Sequence, residues 1–230
     1  MLDPVVPSPA TLARRPARDL TPADHAPDLI LIERARAADD AAIEALVRRY
    51  GRRLFRVARS VIADDDRAEQ IVQEAYLAAF SDLTRYEPTG KFAAWLTRLA
   101  YQSARLQRGV RFTATAAPAA AAAGDTEARE RLELEQAIGA LPEVFRTVFV
   151  LRVLEGVSGI ETAASLGVHE TTVRTRLYRA HRRLDPELLR RARGVLELLE
   201  LPGARLERLV ARVRAQLPRN GLLAIPTRAP

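Results

Sequence analysis

The middle of the chain, Gly109 to Glu127, cannot belong to a core. It reads Thr-Ala-Thr-Ala-Ala-Pro from Thr113, then alanines up to Gly124, with few charges and few large apolar groups. Such a stretch buries too little to offset the entropy of ordering it, so it is expected to be a flexible tether whose alanine run is helical part of the time. The fold must therefore be built on each side of it.

On both sides apolar residues recur at steps of three and four, the helical period, with no strand pattern. Ile43, Leu46, Val47, Tyr50, Leu54, Val57, Ala58 and Val61 form one stripe. Asp64, Asp65 and Asp66 break it and offer an N-cap to a second stripe of Val72, Ala75, Tyr76, Ala79, Phe80 and Leu83. Pro88 and Gly90 end that helix, and Phe92, Trp95, Leu96, Leu99, Ser103 and Leu106 define a third. Past the tether, Leu132, Leu134, Ile138 and Leu141 lead to Pro142, where a first turn tolerates proline, and a further helix through Leu154 stops at Gly156. The fold class is all-α: helical domains over 28–108 and 128–184, a flexible linker over 109–127 and a helical extension over 185–217. The proline-rich residues 1–27 and residues 218–230 are read as tails.

Composition excludes several functions. The 230 residues include no cysteine, which removes disulfides, thiolate metal sites and cysteine nucleophiles and points to a reducing compartment. No apolar run reaches the roughly 18 to 20 residues of a membrane span. No secretory h-region follows Arg14 and Arg15, so a cytoplasmic location is expected. The formal charge is +7, and Lys91 is the single lysine. Arginine grips phosphate and guanine edges bidentately, although a GC-rich genome gives the same bias.

Ser158 to Leu184 has the form of a helix-turn-helix. Ala163 permits close helix approach, Gly167 a left-handed turn, and Val168, Val173 and Leu177 the inner face of the second helix. From His169 to Arg183 there are five arginines and one glutamate. A helix so charged fits a major groove, its first turns reading bases and its arginines holding phosphates. In the first half, Val61 to Gly90 carries seven acidic and two basic residues, whereas Lys91 to Arg111 carries five basic and none acidic. A basic helix with Phe92, Trp95 and Tyr101 suits single-stranded nucleic acid, with Tyr101 the aromatic least committed to the apolar stripe.

Asp65-Asp66-Arg67-Ala68-Glu69-Gln70-Ile71-Val72-Gln73-Glu74-Ala75-Tyr76, Arg85-Tyr86-Glu87-Pro88 and Lys91-Phe92-Ala93-Ala94-Trp95-Leu96-Thr97-Arg98-Leu99-Ala100 together resemble region 2 of bacterial RNA polymerase sigma factors, in the extracytoplasmic-function branch. Leu141-Pro142-Glu143-Val144-Phe145-Arg146, Leu154-Glu155-Gly156-Val157-Ser158 and the helix-turn-helix resemble region 4 of that branch. The resemblance covers residues 28–184. It implies a promoter-specificity subunit that catalyses nothing itself, with core RNA polymerase and promoter DNA as partners, an anti-sigma factor as a further partner, and no cofactor.

By the same resemblance, Glu69, Gln70, Gln73, Glu74 and Leu77 match the surface that grips the polymerase clamp helices. Lys91, Arg98, Tyr101, Gln102, Arg105 and Arg108 match the reader of the unpaired minus-ten strand. His169, Glu170, Thr171, Thr172, Arg174, Thr175, Arg176 and Arg179 match the reader of the minus-thirty-five element. Relatives usually carry an Ala-Arg-Asn run with a later Asp where this chain has Tyr101, Gln102 and Leu106, which implies an atypical promoter preference. Gly159 replaces a usual aromatic and Thr162 a usual isoleucine. A polar Thr162 at an apolar site should cost on the order of 1 kcal/mol of burial.

The competing reading is a helix-turn-helix regulator that binds operator duplex without polymerase, its first bundle serving as a sensor or dimerisation unit. A third is a decoy that occupies polymerase without reading promoters. The aspartates at 64–66 are better explained as a cap than as a magnesium site, and His25, His169 and His181 have no metal-ligand spacing. In the extension, Leu188 to Leu201 and Leu206 to Leu217 read as two amphipathic helices around Pro202-Gly203. They could pack on the second domain, receive a partner or lie on a membrane surface, and intramolecular packing is the reading taken.

Overall fold

The computed structural model describes residues 26–83, 86, 91–108, 126–186, 199 and 201–217. The tail up to His25, Pro88 and Gly90, the tether up to Asp125, nearly all of the extension's first helix and the end of the chain lie outside them. Every regular element among the described residues is helical.

In the first half, α1 (Asp28–Arg36), α2 (Asp40–Val61), α3 (Asp65–Ser81) and α4 (Phe92–Gln107) share one core. Asp39 caps α2 by accepting from the amides of Ala41 and Ala42 at 2.9 and 3.3 Å. The predicted α2 stripe then runs inward, with Leu46, Val47, Leu54, Val57 and Ala58 fully buried. Asp64 caps α3 through the Arg67 amide at 2.7 Å, and Asp65 and Asp66 complement the positive end of the helix dipole. Phe92 is buried among Tyr50, Tyr86 and Trp95, with ring centroids 5.4 to 5.9 Å away. It is a core residue.

Two features depart from expectation. The short α1 is additional: Leu31, Ile32 and Ala35 are buried while Leu29 and Ile30 face solvent. Leu106, assigned to the α4 stripe, is 85% exposed. The buried line of α4 follows Phe92, Leu96, Ala100 and Ala104, and two further residues carry Leu106 to the opposite face.

In the second half, α5 (Thr126–Ala140) begins two residues before the expected domain start. α6 (Glu143–Phe149) widens into a π-helical turn over Val150–Leu154, closed by the Glu155 amide on the Val150 carbonyl at 3.0 Å. Gly156 ends it at φ 62°. α7 (Gly159–Leu166) and α8 (Glu170–His181) follow. Leu134, Ile138, Leu141, Phe149, Leu154, Ala180 and Leu184 form a core shared by α5, α6, the π turn and α8.

The halves pack directly, α4 against α7 and α2 against α6 and the π turn. Val57 and Tyr101 join Val148, Leu151, Val157, Ala163, Leu166 and Val173 in one apolar cluster. The last helix among the described residues, α9 (Gly203–Gln216), corrects the expected place of the extension. It lies on α2 and α3 of the first half, not on the second, because Leu209, Val210 and Val213 enter the first core and its arginines meet acidic residues of that half.

Candidate nucleic-acid interface

The helix-turn-helix is built by local chemistry. The Ser158 hydroxyl caps α7 by accepting from the Glu161 amide at 3.2 Å. Gly167 takes φ 65°, a conformation that penalises any Cβ, and a Cβ there would meet Arg98 Nη2 at 3.3 Å. Val173 is buried and seats α8, which turns His169, Glu170, Thr171, Arg174, Thr175 and Arg179 to solvent. Thr172 and Arg176 are half-buried. Tyr178 is 61% exposed beside Arg182, and Arg183 lies over the Phe145 ring at 4.9 Å. The outward face is therefore cationic and hydroxyl-bearing, the combination that contacts phosphates and base edges. A Cβ at Gly159 would stand 2.8 Å from Glu170 Oε1, the tip of an exposed side chain that can swing aside.

The basic helix α4 meets a different environment. Lys91 Nζ pairs with Glu161 at 3.0 Å, and Arg98 lies against Gly167. Arg105 and Arg108 converge on Glu143, whose side chain is 8% exposed. Gln102 is exposed, but Tyr101 is 5% exposed, which corrects its expected availability for stacking on a base. Its ring fills the apolar seam between the halves, where an aromatic side chain gains more than in water. Burial raises its hydroxyl pKa, and Glu143 adds to the effect.

Further ion pairs close the seam. Arg56, 3% exposed, donates to Glu155 at 2.6 Å, and Arg53 reaches Glu161 at 2.8 Å. Burial works to raise the Glu161 pKa, but hydrogen bonds and charge from Lys91 and Arg53 outweigh it, so the carboxyl is held below its ordinary value. Ser60 and Thr147 share a buried hydroxyl hydrogen bond of 2.8 Å. Glu143, Glu155 and Glu161 were missed as closing residues because no local spacing marks a contact made across a tether.

The acidic surface on α3 is divided. Gln70 is exposed, accepting from Arg67 and donating to Glu74 at 3.0 Å, while Gln73 and Leu77 are half-buried. Gln107 of α4 donates to Glu74 at 2.6 Å. Glu69 is 3% exposed beneath α9, whose Arg212 and Arg205 lie 3.0 and 3.2 Å from its carboxylate.

Comparison with known proteins fits this geometry. Residues 46–111 match the family described as Sigma-70 region 2, and residues 131–184 match Sigma-70, region 4. The RNA polymerase sigma-H factor of Pseudomonas aeruginosa is 31% identical over 180 residues, covering 70% of this chain and 93% of that protein. The chain is an extracytoplasmic-function member of the sigma-70 family. CarQ, an RNA polymerase sigma factor of Myxococcus xanthus, is 32% identical over 73% of this sigma factor and 98% of its own length. The ECF RNA polymerase sigma-E factor of Escherichia coli K12 is 28% identical, covering 69% of this chain and 92% of that one. A solved structure of CnrH in complex with the cytosolic domain of CnrY matches with a TM-score of 0.56 and 29% identity, over 72% of this chain and 98% of that one. Both family matches end before α9. Among the described residues no helix is long and apolar enough to cross a membrane.

Proposed function

We propose that this RNA polymerase sigma factor reads promoters through two surfaces on one tethered chain. The exposed face of α8, led by Arg174, Thr175 and Arg179 with Arg176 beside them, takes the minus-thirty-five element. α4, with Lys91, Arg98, Tyr101, Gln102, Arg105 and Arg108, takes the unpaired minus-ten strand after the halves part on the 109–127 linker. Glu69, Gln70, Gln73, Glu74 and Leu77 of α3 grip core polymerase. The polymerase supplies the bond chemistry in the cytoplasm. The sigma factor supplies binding energy to the open strand through stacking and phosphate contacts that closed duplex lacks, which shifts the population toward melted DNA. By analogy with CnrH, solved with the cytosolic domain of CnrY, a protein partner belongs to the same reading, and the family resemblance makes it an anti-sigma factor.

The observation that carries this reading is the outward cationic face of α8 on a chain whose other half matches region 2. The operator-binding reading is not favoured by that match. The test is reconstituted transcription with core polymerase and genomic fragments, using the unmodified chain and Arg174→Ala. Specific start sites are expected, and the variant should bind its promoters about 1 to 3 kcal/mol more weakly if Arg174 reads a base, or with a smaller salt slope if it holds a phosphate. Absence of both start sites and a complex with core would overturn the proposal.

A further inference from the structure

The last helix sits on the surface assigned to polymerase. α9 carries four arginines against one glutamate, whereas α3 carries four acidic residues against one arginine. Arg205, Arg208 and Arg212 converge on Glu69, and Arg205 also reaches Asp66 at 2.6 Å. Arg214 pairs with Asp40 and Glu44 of α2, and Glu207 of α9 accepts from Arg48 at 3.0 Å. Beneath the charges, Leu209, Val210 and Val213 are buried with Leu201 in the first core.

The seat for this helix is also written into α2. Gly51 lies mid-helix, where glycine is unfavourable, yet a Cβ there would stand 2.9 Å from Leu206 Cδ1. The missing side chain lets α9 approach. A buried carboxylate needs cations around it, and here α9 provides them.

We propose that α9 is a built-in latch: a basic amphipathic helix that occupies the polymerase-binding face of α3, so that core polymerase must displace it to reach Glu69. This rests on the assignment of α3 as the polymerase face. A closed latch lowers apparent affinity by the fraction of molecules that are open. The contact is intramolecular, and its competitor is the polymerase element that takes the same acidic surface.

The chain has no cysteine, so one engineered pair can lock the helix. Full-length Gly51→Cys/Leu206→Cys, oxidised, should bind core polymerase at least about tenfold more weakly than the same protein reduced. Full-length Arg205→Ala/Arg208→Ala/Arg212→Ala should bind about tenfold more tightly than the unmodified chain. The second effect is a gain, which misfolding cannot imitate. Equal binding by oxidised and reduced forms, or no gain from the arginine variant, would overturn the latch and leave the polymerase assignment standing. Failure of every form to bind core would overturn that assignment and the latch with it.

Discussion

Thr162 places a hydroxyl in the interior of the fold. It is fully buried, and its Oγ1 has no hydrogen-bond partner among the described residues. An unsatisfied buried hydroxyl costs about 1 to 3 kcal/mol, so the near-isosteric Thr162→Val should stabilise the chain by about 1 kcal/mol, read as a higher urea midpoint with unchanged slope. A lower midpoint would mean that the hydroxyl is satisfied. This residue was legible in advance because the family resemblance implies an isoleucine there and the cost follows from the hydroxyl's own chemistry. Tyr101 was not: α4 offers apolar residues on more than one face, and the ring's neighbours Val148 and Leu151 belong to the other half.

At the scale of elements, the parts specified locally were legible. Asp64 caps α3 and Gly167 makes the turn before α8, each acting within about four residues of its own position. The π turn at Val150–Leu154 was not, since one extra residue per turn leaves no mark on a three-and-four spacing. Contacts between α4 and α7 were equally hidden, because Lys91 and Glu161 carry nothing in their local sequence that names each other. They nevertheless set a pH response. The Glu161 pKa is lower in the folded chain, so its stabilisation is complete above the ordinary value of 4.5 and is lost as pH falls through the depressed value. The melting temperature should therefore decline on acidification through that window, and Glu161→Gln should make the decline shallower. An unchanged slope in the variant would show that the Lys91 and Arg53 pairs add no pH-dependent stability.

For the whole molecule, the two-half helical architecture followed from the tether and the periodicity, but its closure did not. Arg56 and Glu155 are 99 positions apart, and α9 reaches back more than a hundred residues to α3. Long-range pairing of this kind depends on shape and charge assembled by the folded halves. The consequence is functional: the closed chain turns α8 outward and buries Tyr101 in the seam, while Lys91, Arg105 and Arg108 stay largely exposed and pair with Glu161 and Glu143. On the proposed reading, in which Tyr101 takes the unpaired strand, promoter opening requires the halves to separate on polymerase. In the cysteine-free background, dyes on Ala63→Cys of the first half and Ala164→Cys of α7, both at exposed positions, report that separation by energy transfer. Titration with core polymerase should lower transfer along a saturable binding curve. Transfer that stays constant while core binds to saturation would contradict an account in which this sigma factor opens to read DNA.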